Sequence, residues 1–269
     1  MDTLKSDLNF ENFDGTRAES SEIKPPFPYL EMNWHNGFSA ASGGAMKFGG
    51  WQIGEENAQR AISLFGKLPG YFGEKEMWAK GKGDGEYPAR SSRFISGTPF
   101  ATRVKWYDGR NGEHGSSKTQ SLVYLCEIDK EHNVTPYGVA LISGGSYHAG
   151  VAVSDAFSSW AMHVNSSRVD AGLGNVPAWA FYGYFGTFGD KRITKEVGKK
   201  EKNFIVPCQV NFPKEPTSIR NLYVGDTVAA EIMVLRKQAQ AWLDDAKQNK
   251  QKAQEQPIAS NEEIPDFMR

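Results

Sequence analysis

Short β-favouring runs, separated by clusters of turn-forming residues, recur through the middle of this chain. Aromatic and β-branched residues are frequent in the runs, whereas glycine, asparagine, aspartate and serine cluster between them, as at 108–112 and 143–145. The first group favours strands and the second favours tight turns. Many short strands joined by turns predict a barrel or a sandwich. The predicted strands cover 94–95, 100–107, 121–128, 137–142, 151–153, 157–164, 179–188 and 204–212.

Length and composition fit one folded domain with a tail at each end. The chain has 269 residues, of which 39% are hydrophobic and 23% are charged. That apolar content supports one core and excludes a chain that is disordered throughout. Because 1–24 is polar and acidic and leads into Pro25, Pro26 and Pro28, we expect a flexible arm there. We expect the β-rich domain at 25–225, a C-terminal helix at 226–250 and a disordered acidic tail at 251–269.

Two segments have helical rather than strand periodicity. The first, 55–65, begins with two glutamates, which favour a helix N-terminus, and Gly66 follows it. The second begins near Asp226 or Thr227, either of which can cap a helix. Apolar residues recur at helical spacing at Ala58, Ile62 and Phe65 in the first segment, and at Val228, Ile232, Leu235, Ala239, Trp242 and Ala246 in the second. Each segment is therefore predicted to form an amphipathic helix.

The two cysteines indicate a reducing compartment. Cys126 and Cys208 each lie in an apolar, strand-like run and are predicted to be buried free thiols. The first residues are acidic, whereas a secretory leader needs a cationic start and an apolar run, so we expect a cytoplasmic protein. No stretch reaches the roughly 18 apolar residues that a membrane span needs, so no membrane partner is expected.

Aromatic and basic residues alternate in the stretch from 78 to 110, where only three acidic residues oppose the cations. Cations neutralise phosphates, and flat rings stack on unpaired bases at roughly 1 to 3 kcal/mol per base, so this mixture suits single-stranded nucleic acid. Duplex DNA does not need the rings. The candidate binding residues are Trp78, Lys80, Lys82, Tyr87, Arg90, Arg93, Arg103, Lys105, Trp106, Tyr107 and Arg110.

A second aromatic stretch, 179–188, leads into a run of basic residues. Lys191 and Arg192 are its candidate contacts with nucleic acid. Strand alternation can place one set of its rings in a core and the other set on an open face. The competing interpretation of both stretches is structural, because aromatic residues in strands are usually core and lysines at hairpin tips usually form a solvated surface. Both interpretations stay open from the sequence.

The chain ends in a short acidic peptide that follows a linker rich in glutamine and lysine. Its acids are Glu262, Glu263 and Asp266, and its apolar residues are Ile264, Pro265 and Phe267. An acidic run that leads into Ile-Pro and a phenylalanine resembles the C-terminal tip of bacterial and phage single-stranded DNA-binding proteins. Here Asp266 separates Pro265 from Phe267, and the resemblance covers only this peptide. It implies that the acids meet a basic pocket, and the apolar residues an apolar pocket, on a replication or repair partner.

Motifs of catalytic and metal chemistry are absent from the sequence. The five histidines form no HExxH motif and no paired metal spacing, and there is no CxxC. The glycine-rich stretch 81–85 lacks the Lys-Ser or Lys-Thr of a phosphate-binding loop, and no serine lies in a nucleophile elbow. We therefore predict no catalytic residues, no metal and no cofactor, in a protein that is not an enzyme.

Together these features predict a mainly β fold, namely a barrel of the oligonucleotide-binding kind with long loops, a C-terminal helix and disordered termini. The predicted function is to bind single-stranded DNA during replication or recombination and to recruit a partner through the tail. Two other classes stay open. A structural or assembly protein, for example of a virus particle, would bind itself, and a hydrolase would assemble its acids or histidines through the fold. A homo-oligomer is compatible with binding and with assembly.

Overall fold

The structure is a computed structural model, and it describes residues 23–35, 49–79, 85–107, 116–144, 147–189, 193–197, 201–205, 207–212 and 215–245. In these residues the protein is mostly β, with a curled nine-stranded sheet that forms a half-barrel, a separate hairpin and a few helices. The predicted β-rich class is therefore confirmed. The strands are β1 (Tyr29–His35), β2 (Gly50–Gly54), β3 (Glu76–Ala79), β4 (Glu86–Ser92), β5 (Phe94–Tyr107), β6 (Ser116–Ile128), β7 (Val134–Gly144), β8 (Gly183–Gly186), β9 (Ile193–Val197), β10 (Glu201–Ile205) and β11 (Gln209–Asn211).

The large sheet is mainly antiparallel, with the strand order β11-β8-β5-β6-β7-β1-β2-β4-β3. Its centre is the meander β5, β6 and β7, in which strands that follow each other in sequence pair directly. β1 runs parallel to β7 and antiparallel to β2. β9 and β10 pair with each other in the separate hairpin.

One nearly continuous strand takes part in both wings of the large sheet. β4 ends at Ser92 and β5 begins at Phe94, so Arg93 alone joins them. β4 pairs with β2, whereas β5 pairs with β6 and β8. The pairing therefore passes from this strand through β2, β1, β7 and β6 and returns to the same strand. It returns twelve positions further along, at Arg103 instead of Ser91, which is the kind of stagger that a sheet curling towards a barrel requires.

Aromatic side chains on the inner face stabilise the curl of the sheet. The indole Nε1 of Trp51 in β2 donates a hydrogen bond to the carbonyl oxygen of Phe185 in β8 at 2.7 Å, although these strands are not neighbours in the sheet. The rings of Trp34 and Trp51 meet edge to face at 5.1 Å, and both side chains are fully buried. The ring of Phe185 in turn packs on the rings of Phe157 and Trp160. Part of the core therefore sits inside the curl of the sheet.

The helix predicted at 55–65 is confirmed, and the helix predicted at 226–250 is confirmed over its first part, while 246–250 lie outside the described residues. α1 spans Glu55–Phe65 and ends at Gly66, whose φ of 80° is the left-handed conformation that glycine adopts without strain. α3 spans Asp226–Gln238, and helical turns continue over 240–245. Two 3-10 helices, Ala178–Ala180 and Pro216–Leu222, lie between the strands and α3.

A third helix replaces two predicted strands. Residues 151–153 and 157–164 lie in α2, which spans Tyr147–Asp170, so the strand predictions there are wrong. Its buried residues recur at helical spacing at Ala149, Val153, Ala156, Phe157, Trp160, Val164 and Ser167. The valine and aromatic residues that favour a strand locally are therefore on the face of a helix that packs against the sheet, and this burial outweighs their intrinsic preference. The predicted strand at 179–188 is likewise reduced to the four residues of β8.

Helices cover the two faces of the large sheet differently. α2 packs on the face that carries Phe185, as the contact of Phe185 with Trp160 shows. α3 lies on the opposite face, where Glu231 accepts a hydrogen bond from the Tyr124 hydroxyl at 2.7 Å. α1 lies on that same face, with Arg60 over the ring of Tyr29. We call this second side the α3 face.

Both cysteines are free and buried, as predicted. Burial raises the pKa of Cys126 to about 12, so its thiol stays protonated in the folded protein. In the part of the chain that the structure describes, none of the helices combines the length and the apolar character needed to cross a membrane.

Candidate nucleic-acid interface

A row of polar residues crosses the α3 face from strand to strand. Residues directly opposite each other in neighbouring strands present their side chains on the same face. The successive partners in this row, which we call the polar belt, are Ser91, Gln52, Asn33, Ser143, Gln120 and Arg103. The adjacent row on the same face holds Ala101, Leu122 and Leu141 and then Glu31 on β1, so the belt has apolar neighbours on β5, β6 and β7 and an acidic one on β1.

The side-chain oxygen of each of the three amides in the belt accepts a hydrogen bond from another residue of the protein. Ser143 Oγ donates to Asn33 Oδ1 at 2.7 Å, and Arg103 Nε donates to Gln120 Oε1 at 2.8 Å. The Tyr87 hydroxyl donates to Gln52 Oε1 at 2.5 Å, and burial raises the pKa of Tyr87, which keeps that donor protonated. Since all three oxygens are used inside the protein, the three NH₂ groups are the ends left to meet something else.

The turns that follow α3 cover one end of the belt. Arg103 Nη1 donates to the carbonyl oxygen of Trp242 at 3.0 Å and lies 3.5 Å from Asp245 Oδ2. Its guanidinium also lies 4.2 Å from the centroid of the Trp242 ring. Arg103, a predicted contact with nucleic acid, is only 5% exposed as a result. In this structure it anchors the C-terminal helical turns to the sheet.

A hairpin arm projects from the sheet beside the belt. β5 and β6 pair as far as Tyr107 and Ser116, whereas the pairing of β6 with β7 stops at Gln120 and Ser143. The arm carries three of the predicted contacts, Lys105, Trp106 and Tyr107, at its outer end. Lys105 is paired in register with Lys118.

Several strand ends meet at the edge from which this arm projects. The end of β1 at His35 lies opposite the start of β2 at Gly50, and Trp34 lies beside the end of β7 at Gly144. The strand ends that flank 36–48 and those that flank 108–115 are therefore at one edge of the sheet. The polar belt reaches this same edge, because Gln120 and Ser143 are the last pair of β6 and β7.

The predicted contacts in β3 and β4 lie elsewhere. The turn between these strands leaves from Ala79 and Glu86, six residues and therefore about 20 Å along β4 from Ser92. Trp78 is 1% exposed and belongs to the core. Arg90 donates to both carboxylate oxygens of Glu55, and this bond lowers the pKa of Glu55. The structure thus divides the predicted stretch 78–110 between two hairpins at opposite ends of the sheet.

The other predicted residues complete the comparison with the sequence. Arg93 is exposed at the junction of β4 and β5, and Tyr87 is partly buried. In the second aromatic stretch, Phe181, Tyr182 and Phe185 are buried. These three rings therefore belong to the core, which is the structural interpretation of that stretch. The remaining predicted residues lie outside the described part of the chain: Lys80, Lys82, Arg110, Lys191, Arg192, Glu262, Glu263, Ile264, Pro265, Asp266 and Phe267.

The amides of the belt were missed from the sequence, although a signal for them exists. Asn33 stands between Met32 and Trp34, and Gln52 stands between Trp51 and Ile53. An amide between two large apolar residues of a strand must face away from the core that they fill. Such an amide marks a polar position on the outer face of the sheet.

Two cavities open on the α3 face beside the belt. The first, of about 240 Å³, is lined by Lys24, Glu31, Asn33, Gln120, Ser143 and Trp242. The second, of about 400 Å³, lies between the segment 24–28 and α1. Among the described residues, no cluster of three histidines, cysteines or acids is close enough to hold a metal ion.

Comparison with protein-family models, with curated proteins and with solved structures finds no match for this chain.

Proposed function

We propose that this protein binds single-stranded DNA along the polar belt and the hairpin arm, and that it acts in replication or recombination without being an enzyme. The observation that carries the proposal is the meeting of two features at one sheet edge. The outer end of the β5–β6 arm, which is basic and aromatic, projects from the same sheet edge that the amides of the polar belt reach. Cations and rings supply the affinity for single strands, and the amides add hydrogen bonds.

The strand arrangement supports a barrel of the oligonucleotide-binding kind, which is a five-stranded, partly open Greek-key barrel. If the continuous β4–β5 strand takes the first place, then β6 and β7 take the second and third, and β2 and β1 take the fourth and fifth. Such barrels bind on the face of their second and third strands and with the loops after the first and the fourth. On this assignment the face carries Gln120 and Ser143, and the segment after the first strand is 108–115. The chain here passes through the fifth place before the fourth, so 36–48 joins these two strands in the reverse order.

The charge pattern of the arm supports an anionic ligand. Lys105 and Lys118 are paired in register, and Arg110 lies between the two strands in sequence. These three cations outnumber the two acids of the same segment, Asp108 and Glu113, which leaves an excess of positive charge for a phosphate. A flexible phosphate backbone can follow such a segment, and Trp106 and Tyr107 offer rings for stacking.

We propose further that the C-terminal peptide recruits a replication or repair protein. Glu262, Glu263 and Asp266 would meet a basic pocket on that partner, and Ile264, Pro265 and Phe267 an apolar one. The free cysteines fit work in the cytoplasm, where thiols stay reduced. Phe267→Ala should abolish partner capture and leave the affinity for single strands unchanged, whereas equal capture by both proteins would refute this role.

The test of DNA binding is a fluorescence titration with oligo-thymidine at several salt concentrations. Binding should quench tryptophan emission and weaken as salt rises. Lys105→Gln should reduce the slope of log affinity against log salt by about 0.7, the value for one phosphate contact on a single strand. Lys130→Gln is the matched control, because Lys130 is exposed in the β6–β7 turn at the opposite end of the sheet.

Three outcomes would contradict the proposal or its placement on the arm. Equal or tighter binding of duplex DNA would show that the rings do not stack on unpaired bases. Absence of salt-dependent binding, together with large assemblies in solution, would favour the structural class of protein instead. An equal loss of slope in Lys105→Gln and Lys130→Gln would show that the arm is not the contact.

A further inference from the structure

The smaller cavity beside the belt combines hydrogen-bonding groups of both kinds in a small space. Asn33 and Gln120 lie on β1 and β6, one on each side of β7, and Glu31 lies two residues before Asn33 on the same face of β1. Neighbouring strands are about 4.8 Å apart, so the backbones that carry the two amides are separated by about 10 Å. Ser143 of β7 lies between the two amides on the same face, so a flat ring would lie over Ser143.

The orientation of the amides fixes which atoms they offer. Asn33 Oδ1 accepts from Ser143, and Gln120 Oε1 accepts from Arg103. Within the described residues, neither NH₂ group donates a hydrogen bond, and Gln52 Nε2 in the same belt is buried without an acceptor. Gln52 does not line the cavity, whereas Gln120 does and is 9% exposed. The NH₂ groups of Asn33 and Gln120 are therefore the donors that the cavity offers to a ligand.

Glu31 supplies a hydrogen-bond acceptor to the same cavity. Its side chain is exposed and lines the same cavity, and a carboxylate only accepts hydrogen bonds. The cavity therefore offers two NH₂ donors and one carboxylate acceptor. Lys24 and Trp242 complete the lining, with a cation for a phosphate and an indole beside the ring space.

We propose that this cavity is a subsite for one nucleobase and that it prefers thymine or uracil. The pairing edge of these bases presents a carbonyl oxygen, an N–H and a second carbonyl oxygen, which is the complement of donor, acceptor and donor. Cytosine and adenine present an amino donor where the amides of Asn33 and Gln120 also donate. The inference rests on the proposed single-strand binding and assigns it a base preference.

The first experiment uses the unchanged protein. Its affinities for oligo-thymidine, oligo-cytidine, oligo-adenosine and an abasic strand of equal length are compared by titration at one salt concentration. Oligo-thymidine should bind about tenfold more tightly than the others, as expected for one correctly read base edge. Equal affinity for all four strands would overturn the subsite while leaving single-strand binding intact. Failure to bind any strand would instead refute the proposed function.

The second experiment exchanges one donor for an acceptor without changing its shape. Asn33→Asp keeps the oxygen that Ser143 binds and replaces the NH₂ group, so the preference for thymidine should fall about tenfold relative to cytidine. Asn211→Asp is the matched control, since it makes the same change of charge at an exposed position of β11, the edge strand of the sheet. If both variants lower the affinity for all strands equally, Asn33 contributes charge alone and the inference is wrong.

Discussion

Replacing Arg103 with alanine separates a structural role of this residue from a binding role. In the structure the guanidinium joins three parts of the chain: Gln120 of β6, the carbonyl of Trp242 and the carboxylate of Asp245. It also lies 4.2 Å from the centroid of the Trp242 ring, close enough for a cation–π contact. We therefore expect Arg103→Ala to lower the free energy of unfolding.

The magnitude follows from the contacts that are lost. Two hydrogen bonds from a charged donor contribute about 1.5 to 3 kcal/mol each, and the cation–π contact adds about 0.5 to 2 kcal/mol. Removing one partner of a buried ionic contact costs about 3 to 5 kcal/mol in measured cases, because the other groups keep their desolvation cost. We expect a loss of about 3 to 5 kcal/mol, a large part of the 5 to 15 kcal/mol that is roughly typical of a whole domain.

Urea denaturation followed by tryptophan emission measures this loss as a lower midpoint with an unchanged slope. Lys130→Ala is the control, since Lys130 is exposed in the β6–β7 turn. That control should stay within about 1 kcal/mol of the unchanged protein. The reasoning is refuted if Arg103→Ala is as stable as Lys130→Ala and instead loses affinity for single strands.

Three further predictions concern the core. Trp51→Phe removes the indole donor to Phe185 and should lower the free energy of unfolding, measured in urea, by about 1 to 3 kcal/mol. A smaller change would show that this hydrogen bond does not stabilise the curl of the sheet. A methyl group at Gly186 would overlap the backbone of the β4–β5 junction, so Gly186→Ala should melt well below Gly174→Ala, where the space is open. Burial raises the pKa of Cys126 to about 12, so thiol reagents at pH 8 should label Cys126 only when the protein unfolds. For the same reason the free energy of unfolding should fall as the pH rises from about 8.5, the pKa of an exposed thiol, towards the raised pKa.

Local sequence signals predicted the elements that are decided locally. α1 matches its prediction because two glutamates, an apolar stripe and Gly66 all favour the same bounds. The start of α3 at Asp226 and the pairing of β5 with β6 follow for the same reason. In each case helix or strand preference, apolar spacing and the adjacent turn residues agree.

The sequence could not predict what distant parts of the chain decide together. The sequence of α2 predicts strands because Val153, Phe157 and Trp160 have strand preferences. The helix is more stable only because it buries these side chains against the sheet. Arg103 looks like a surface cation because its partners Trp242 and Asp245 lie about 140 residues away in the chain. The polar belt could not be predicted from the sequence, since its six members come from six strands whose order in the sheet differs from their order in the chain.

The position of the C-terminal helical turns leads to a last prediction about the acidic tail. Trp242 and Asp245 contact Arg103 at the end of the belt, so the chain that leads to Glu262, Glu263 and Asp266 departs from beside the proposed binding face. An acidic peptide tethered there competes with phosphate at high effective concentration, and salt screens the competition. Deleting 261–269 should therefore raise the affinity for oligo-thymidine several-fold at low salt, with little change at high salt and none in melting temperature. Replacing the three acids with amides should reproduce the gain. A deletion that lowers the affinity or the melting temperature would instead place the tail in the fold or in the binding surface.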